Sequence, residues 1–154
     1  MENLCIEKPF SGGILLSYKC TSECEHCMYA SSPSWKNDWI SEKDAGRILT
    51  ELSGRIQESP FGPNRVGVNW GLHFTGGEPF LNFDLLLKLT RMADELRISS
   101  TFVETNSFWC TDDKITRRKL VELRDSVGWR AYQCKPVHIR PNSVRTDRKS
   151  RQDK

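Results

Sequence analysis

The sequence contains no apolar run long enough to cross a bilayer. Its longest purely apolar stretches, such as Leu85-Leu86-Leu87, fall far short of the ~20 residues a membrane helix needs. The amino terminus, Met1-Glu2-Asn3-Leu4-Cys5-Ile6-Glu7-Lys8, has neither the basic n-region nor the apolar h-region of a secretory signal. Together these absences predict a cytoplasmic protein whose thiols stay reduced. Internal repeats and low-complexity blocks are also missing. At 154 residues the chain has room for one domain of roughly 100–200 residues. It has no room for an eight-unit β/α barrel, which takes about 250. Aromatics are not scarce: Phe, Trp and Tyr make up 10%, too many for a disordered chain.

Excess positive charge is absent from most of the chain. The formal net charge is +3, but residues 135–154 hold seven Lys/Arg and two Asp/Glu, leaving residues 1–134 slightly acidic. The sequence divides accordingly into a folded unit at 1–134 and a basic, disordered tail at 135–154. Such a tail can touch acidic surfaces without specificity. It has no aromatic side chain to stack on bases, which argues against nucleic acid as the partner.

What is present is a strand–loop–helix rhythm. Ile14–Tyr18 reads as a buried strand running into a cysteine cluster. Ser41, with Asp44 three residues on, reads as a helix N-cap, followed by an apolar face of Ala45, Ile48, Leu49, Leu52 and Ile56. Val66, Val68, Trp70, Leu72 and Phe74 alternate with polar or small residues, the period of a strand, ending in Thr75-Gly76-Gly77-Glu78-Pro79. Asn82 can cap a second helix with Leu85, Leu86, Leu89, Met92, Ala93 and Leu96 on its core face. Ser100–Glu104 reads as a third strand ending in Thr105-Asn106-Ser107. Thr111 can cap a third helix striped by Ile115, Leu120, Leu123 and Val127. A fourth strand is expected from about Trp129, and no strand or helix pattern is visible beyond Lys135. Alternating strands and helices predict an α/β fold with a parallel sheet. In such sheets ligands bind at the carboxyl ends of strands, so all three polar motifs should share one rim.

Cys20, Cys24 and Cys27 form C-x3-C-x2-C. Three clustered cysteines leave one odd, so disulfide pairing explains them poorly. Soft sulfur ligands suit zinc or an iron–sulfur cluster. A structural zinc wants four protein ligands, for which His26, His73 or a distant cysteine could complete the set. A closed [4Fe–4S] site wants four cysteines, so three leave one iron open to an outside ligand. In Thr75–Pro79 the glycines let the backbone approach a ligand closely and can adopt positive φ. Glu78 adds a carboxylate suited to an ammonium group. An ordinary strand-to-helix turn is the alternative. Cys5, Cys110 and Cys134 read as dispersed small core residues, and His73 as a strand histidine with its hydrogen bonds satisfied rather than a ligand.

From Ile14 to Asn106 the chain resembles the radical S-adenosylmethionine (SAM) enzymes: C-x3-C-x2-C follows the first strand and Gly-Gly-Glu-Pro the second. The resemblance implies that Cys20, Cys24 and Cys27 hold a [4Fe–4S] cluster whose fourth iron chelates SAM. It implies that Gly76, Gly77 and Glu78 receive the SAM amino group and that His26 lies near the adenine. Thr105-Asn106 resembles the third-strand end, with Ser107 in place of a common glycine; these side chains could reach SAM or substrate, and a plain turn with Asn106 in the left-handed conformation is the alternative. The implied activity is reductive cleavage of SAM to a 5′-deoxyadenosyl radical that acts on an unknown substrate. The electron would come from a low-potential donor of flavodoxin or ferredoxin type. Such a core commonly has six β/α units, roughly 190 residues at the barrel's spacing. The expected fold is therefore a truncated, partial (β/α) barrel of three to four units. Its exposed edge and apolar face would favour self-association or a partner protein that completes the barrel. Two further readings stand beside this one: a zinc or iron–sulfur module without SAM chemistry, and an inactive truncated remnant.

Overall fold

The computed structural model describes residues 7–62, 70–98, 100–127 and 139–141. Strands β1 (Ser11–Leu15), β2 (Gly71–Thr75), β3 (Thr101–Thr105) and the short β4 (Ile139–Pro141) form one sheet. The strands lie in chain order and all pair in parallel. Helices α1 (Glu42–Leu52), α2 (Phe83–Glu95) and α3 (Asp113–Ser126) provide the crossovers. Among the described residues no helix is long and apolar enough to cross a membrane.

Local chemistry accounts for the helix starts. The Ser41 hydroxyl accepts the Asp44 N–H at 3.0 Å and donates to its carboxylate at 2.7 Å, satisfying an otherwise orphan donor. Asn82 Oδ1 accepts from Leu85 N–H at the head of α2. A single 3₁₀ turn, Pro79–Asn82, precedes it. At α3 the cap is Asp112, which accepts from Ile115 N–H, one residue later than the expected Thr111. A carboxylate at that position also complements the helix dipole.

The core is one layer between sheet and helices. Ile14, Leu16, Leu72, Phe74 and Val103 meet Ala45 and Leu49 of α1, Leu86 and Leu89 of α2 and Leu123 of α3. Packing places α2 between α1 and α3. α3 is the most peripheral helix: only Leu123 and Ser126 are buried, while Leu120 and Val121 are exposed. Of its expected apolar stripe Leu123 is buried, Ile115 and Val127 are half-buried and Leu120 is exposed. Alternation along the strands turns Gly13, His73, Thr75, Phe102 and Glu104 to the opposite face. There the His73 ring occupies the space left by Gly13, where a Cβ would lie 2.1 Å from its Nε2. Its centroid is 5.2 Å from that of Phe102.

Three expectations shift. β1 begins and ends earlier than Ile14–Tyr18, because Gly12 and Gly13 pair with Leu72 and His73. The chain from Leu16 to Tyr18 instead leads away into the cysteine loop. Ile56 lies beyond the Ser53 C-cap of α1, packed at the core margin. β4 runs inside the segment read as tail. The fourth strand expected from Trp129 lies outside the described residues, as do Val66 and Val68, Cys5 and Cys134.

Candidate functional site

The site begins where β1 ends. Leu16 N–H still bonds Thr75 at 2.9 Å, after which the chain turns into a loop carrying Cys20, Cys24 and Cys27. The loop closes on itself: Lys19 bridges Ser32, and Cys20 N–H bonds the Ser32 carbonyl at 3.2 Å. Inside it, Cys27 N–H bonds the Cys24 carbonyl and Ala30 N–H the Cys27 carbonyl, each at 3.1 Å. All three cysteines are free thiols, Cys20 buried and the other two half-buried. Cys110, expected in the core, is exposed, while its neighbour Trp109 is buried.

The Gly76-Gly77 turn lies directly against this loop. Gly77 N–H bonds the Ser17 carbonyl at 2.6 Å, and Glu78 N–H the Lys19 carbonyl at 2.9 Å. A Cβ on Gly77 would fall 1.8 Å from the Lys19 carbonyl oxygen. Gly76 has φ of 129°, a conformation that side chains disfavour. The close approach these glycines permit is thus to the segment leading from β1 into the cysteines.

Glu78 is fully buried. Its Oε1 accepts from Phe80 N–H at 3.0 Å and the Thr105 hydroxyl at 2.8 Å, and its Oε2 from Asn106 N–H at 2.7 Å. Burial pushes its carboxyl above the usual range, against the Asn106 and Phe80 N–H groups and the Thr105 hydroxyl, which pull it down. Thr105 is equally enclosed, accepting from Ser107 N–H and Trp109 Nε1. The Trp109 ring stacks on Phe80, centroids 4.1 Å apart, so the segments after β2 and β3 pack as one block. Ser107 has φ of 62°: the left-handed residue of this turn is Ser107, not Asn106.

A cavity of about 220 Å³ opens between the three strand ends. The cysteine loop lines it with Cys20, Ser22, Cys24, His26, Cys27, Met28, Tyr29 and Ser31; β2 and its turn add Thr75, Gly76 and Gly77; β3 adds Glu104 and Asn106. Glu78 and Thr105 stand behind this wall, not on it. His73 is also outside the lining. Against the expectation of a satisfied histidine, its Nδ1 has no hydrogen-bond partner among the described residues.

Glu104 and Ser31 were not among the candidates read from the sequence. The Thr75 hydroxyl donates to Glu104 Oε2 across the two strands. Strand alternation carried a signal for Glu104, since Phe102 and Glu104 share a face. Ser31 Oγ is buried without a partner among the described residues, and no local pattern marks it.

The donor set suits an iron–sulfur cluster. The three cysteines border one cavity, and Ser31, whose hydroxyl is unpartnered among the described residues, is among its lining. Among the described residues no three His, Cys, Asp or Glu side chains are placed to hold a single metal ion. A cluster asks for a different arrangement, one thiolate on each iron. The Cys20 thiol is raised above its ordinary value, first by burial, then by the Glu78 carboxylate. The Ser22 and Thr21 N–H groups oppose this. Metal binding draws off such a proton, since the thiolate is the ligand.

A family model described as a 4Fe-4S single cluster domain matches residues 13–128. None of the curated proteins compared with the chain matches it. The match begins in β1, runs through the cysteine loop and both later strand ends, and finishes after α3.

Proposed function

The chain belongs to the 4Fe-4S single cluster domain family, an iron–sulfur family found in radical SAM-type proteins, and from this we propose that it is a radical SAM protein acting on an unidentified substrate. The observation that carries the reading is the cavity that gathers Cys20, Cys24 and Cys27, the Gly76-Gly77 turn and Asn106 at three adjacent strand ends. All three helices pack their buried residues into one core layer, which favours a partial β/α barrel over a doubly wound sheet.

In this reading Cys20, Cys24 and Cys27 hold a [4Fe–4S] cluster, leaving one iron for SAM. The edge from Gly76 to Glu78 receives the SAM amino group. Glu78 acts through the strand end it holds, and Glu104 is the carboxylate open to the cavity. His26 and Asn106 complete the rim, and Thr105 supports it from behind through Glu78. Cluster and SAM together supply a one-electron cleavage to methionine and a 5′-deoxyadenosyl radical. The partners are a low-potential electron donor of flavodoxin or ferredoxin type, the substrate, and a second copy or partner protein completing the barrel. The setting is the cytoplasm.

A cluster-bearing module without SAM chemistry is the second reading. It is favoured by Glu78, whose carboxylate oxygens are both committed within the protein.

Anaerobic reconstitution with iron and sulfide, reduction, and addition of SAM tests both. Brown protein, an EPR signal changed by SAM, and 5′-deoxyadenosine as product support the first. A cluster without 5′-deoxyadenosine selects the second. Colourless protein holding stoichiometric zinc sinks both. Cys24→Ala is expected to abolish cluster loading.

A further inference from the structure

We propose that Asn106 is a positioning residue that presets the Cys20 sulfur and raises the reduction potential of the cluster bound there. The inference rests on cluster binding and needs no SAM.

Asn106 is held by the protein's own groups. Its backbone N–H is fixed by Glu78 at 2.7 Å, and its Oδ1 accepts from Phe108 N–H at 3.0 Å. That second bond settles which way the amide faces, because a flipped amide would set a donor against a donor. The Nδ2 group therefore points to the cysteine loop. It meets Thr21 Oγ1 at 2.8 Å, Ser22 Oγ at 3.1 Å and Cys20 Sγ at 3.6 Å. Two hydrogens thus face three acceptors. With a neutral thiol the hydroxyls are the better acceptors.

Cluster ligation changes that balance. Cys20 becomes a thiolate, and hydrogen bonds to an ionised acceptor are roughly twice as strong as neutral ones. The two hydroxyls are rotors with other options, whereas the sulfur is fixed. One amide hydrogen is then directed to Cys20, whose sulfur also receives the Ser22 N–H at 3.4 Å. Cys20 is the buried member of the three cysteines, so these donors act with little screening by water. Donors to a ligand sulfur stabilise the more negative, reduced cluster, and hydrogen bonding to sulfur is one of the known determinants of cluster potential.

The test uses the full chain, loaded anaerobically with iron and sulfide, with potentials read by EPR-monitored titration. Asn106→Ser keeps a hydroxyl that can accept from Phe108 N–H but cannot reach Cys20. It is expected to make the one-electron reduction about tenfold less favourable, a fall of about 59 mV. Thr21→Val removes the nearest competing acceptor and is expected to leave the potential no lower than in the unaltered chain. An unchanged potential in Asn106→Ser at equal iron content overturns the proposal, and so does an equal fall in Thr21→Val. The apo-protein gives a second readout. Amide hydrogen exchange at Thr21 and Ser22, the residues that the Asn106 side chain holds, is expected to quicken severalfold relative to Cys24 in Asn106→Ser. If that variant does not load, this rate decides: a selective rise at Thr21 and Ser22 supports the presetting, and no rise overturns it. If the unaltered chain itself takes up no cluster, it is the cluster reading that fails, and the exchange arm still reports on the clamp.

Discussion

The backbone N–H of Asn106 donates to the Glu78 carboxylate at 2.7 Å, across 28 residues of sequence. This bond ties the end of β3 to the turn after β2. The Asn106 side chain continues the link to Thr21 and Ser22 in the cysteine loop. Three loops that are distant in sequence are thus joined through two adjacent polar residues.

Glu78→Ala is expected to destabilise the apo-protein by about 2–5 kcal/mol. It strands Phe80 N–H, Asn106 N–H and the Thr105 hydroxyl in a buried setting, where each unmade bond costs about 1–3 kcal/mol and some relaxation is available. Differential scanning calorimetry without iron or SAM reads this directly. A Glu78 that served only to touch SAM would leave the apo melting temperature unchanged.

The same residue predicts a pH trend. Its folded carboxyl lies above the usual range, chiefly through burial. Above both the unfolded and folded values the group is charged in either state and the fold bears the full burial cost. Below both it is neutral in either state and that cost is gone. Its contribution therefore worsens as pH rises from the unfolded value through the folded one. Urea midpoints of the apo-protein across mildly acidic pH should show this slope, and Glu78→Gln should lack it.

Gly77→Ala is expected to prevent cluster loading, measured as iron per chain after reconstitution. The new Cβ would lie 1.8 Å from the Lys19 carbonyl oxygen and 3.0 Å from Cys20 N, so the turn must withdraw from the cysteine loop. Gly54→Ala is the control. Gly54 has φ of 70° with nothing within 4 Å, so the substitution costs only roughly 1–2 kcal/mol of left-handed strain and loading should survive.

Glu104→Gln separates SAM binding from cluster binding. The Thr75 hydroxyl can still donate to the new amide oxygen, so iron content should be unchanged. Losing the cavity carboxylate removes a charged hydrogen bond of about 1.5–3 kcal/mol. SAM should therefore bind about tenfold more weakly or worse, read from the SAM-dependent change in the EPR signal. An identical SAM titration would show that Glu104 does not meet SAM.

Trp109→Ala is expected to cost about 3–5 kcal/mol, the usual range for a large aromatic in a core. It removes the stack on Phe80 and the donor to Thr105. Trp109→Phe should cost less, since it keeps the stack and loses only the N–H. Chemical denaturation of the two variants orders the contributions.

Much of the frame was legible because it is locally encoded. Ser41 with Asp44, and Asn82 with Leu85, are short-range caps that a few residues determine. The cysteine spacing and Gly76-Gly77 stand out for the same reason. The exact span of β1 was not legible: Ser11–Leu15 is selected by pairing with Gly71–Thr75 and by the fit of His73 over Gly13, neither of which the apolar run Ile14–Tyr18 contains. The site's polar wiring was hidden for a related cause. Asn106 reaches Thr21 across 85 residues, and Ser31 is buried only because the loop closes between Lys19 and Ser32. Glu78 stands out in its own segment as a carboxylate suited to an ammonium group; its burial and its donors from Thr105 and Asn106, which make it a bracket for β3, come from other segments. Such roles emerge from register and closure, which no single segment carries.

The sheet's strands lie in the order in which the chain is made. During synthesis each new strand can add to the free edge of the last, with no strand waiting for a later one to be inserted beside it. Asn106 is the last of the described residues that line the cavity. Those residues are therefore all made before α3 begins, and the cysteine loop can meet both of its supporting turns while later segments are still emerging.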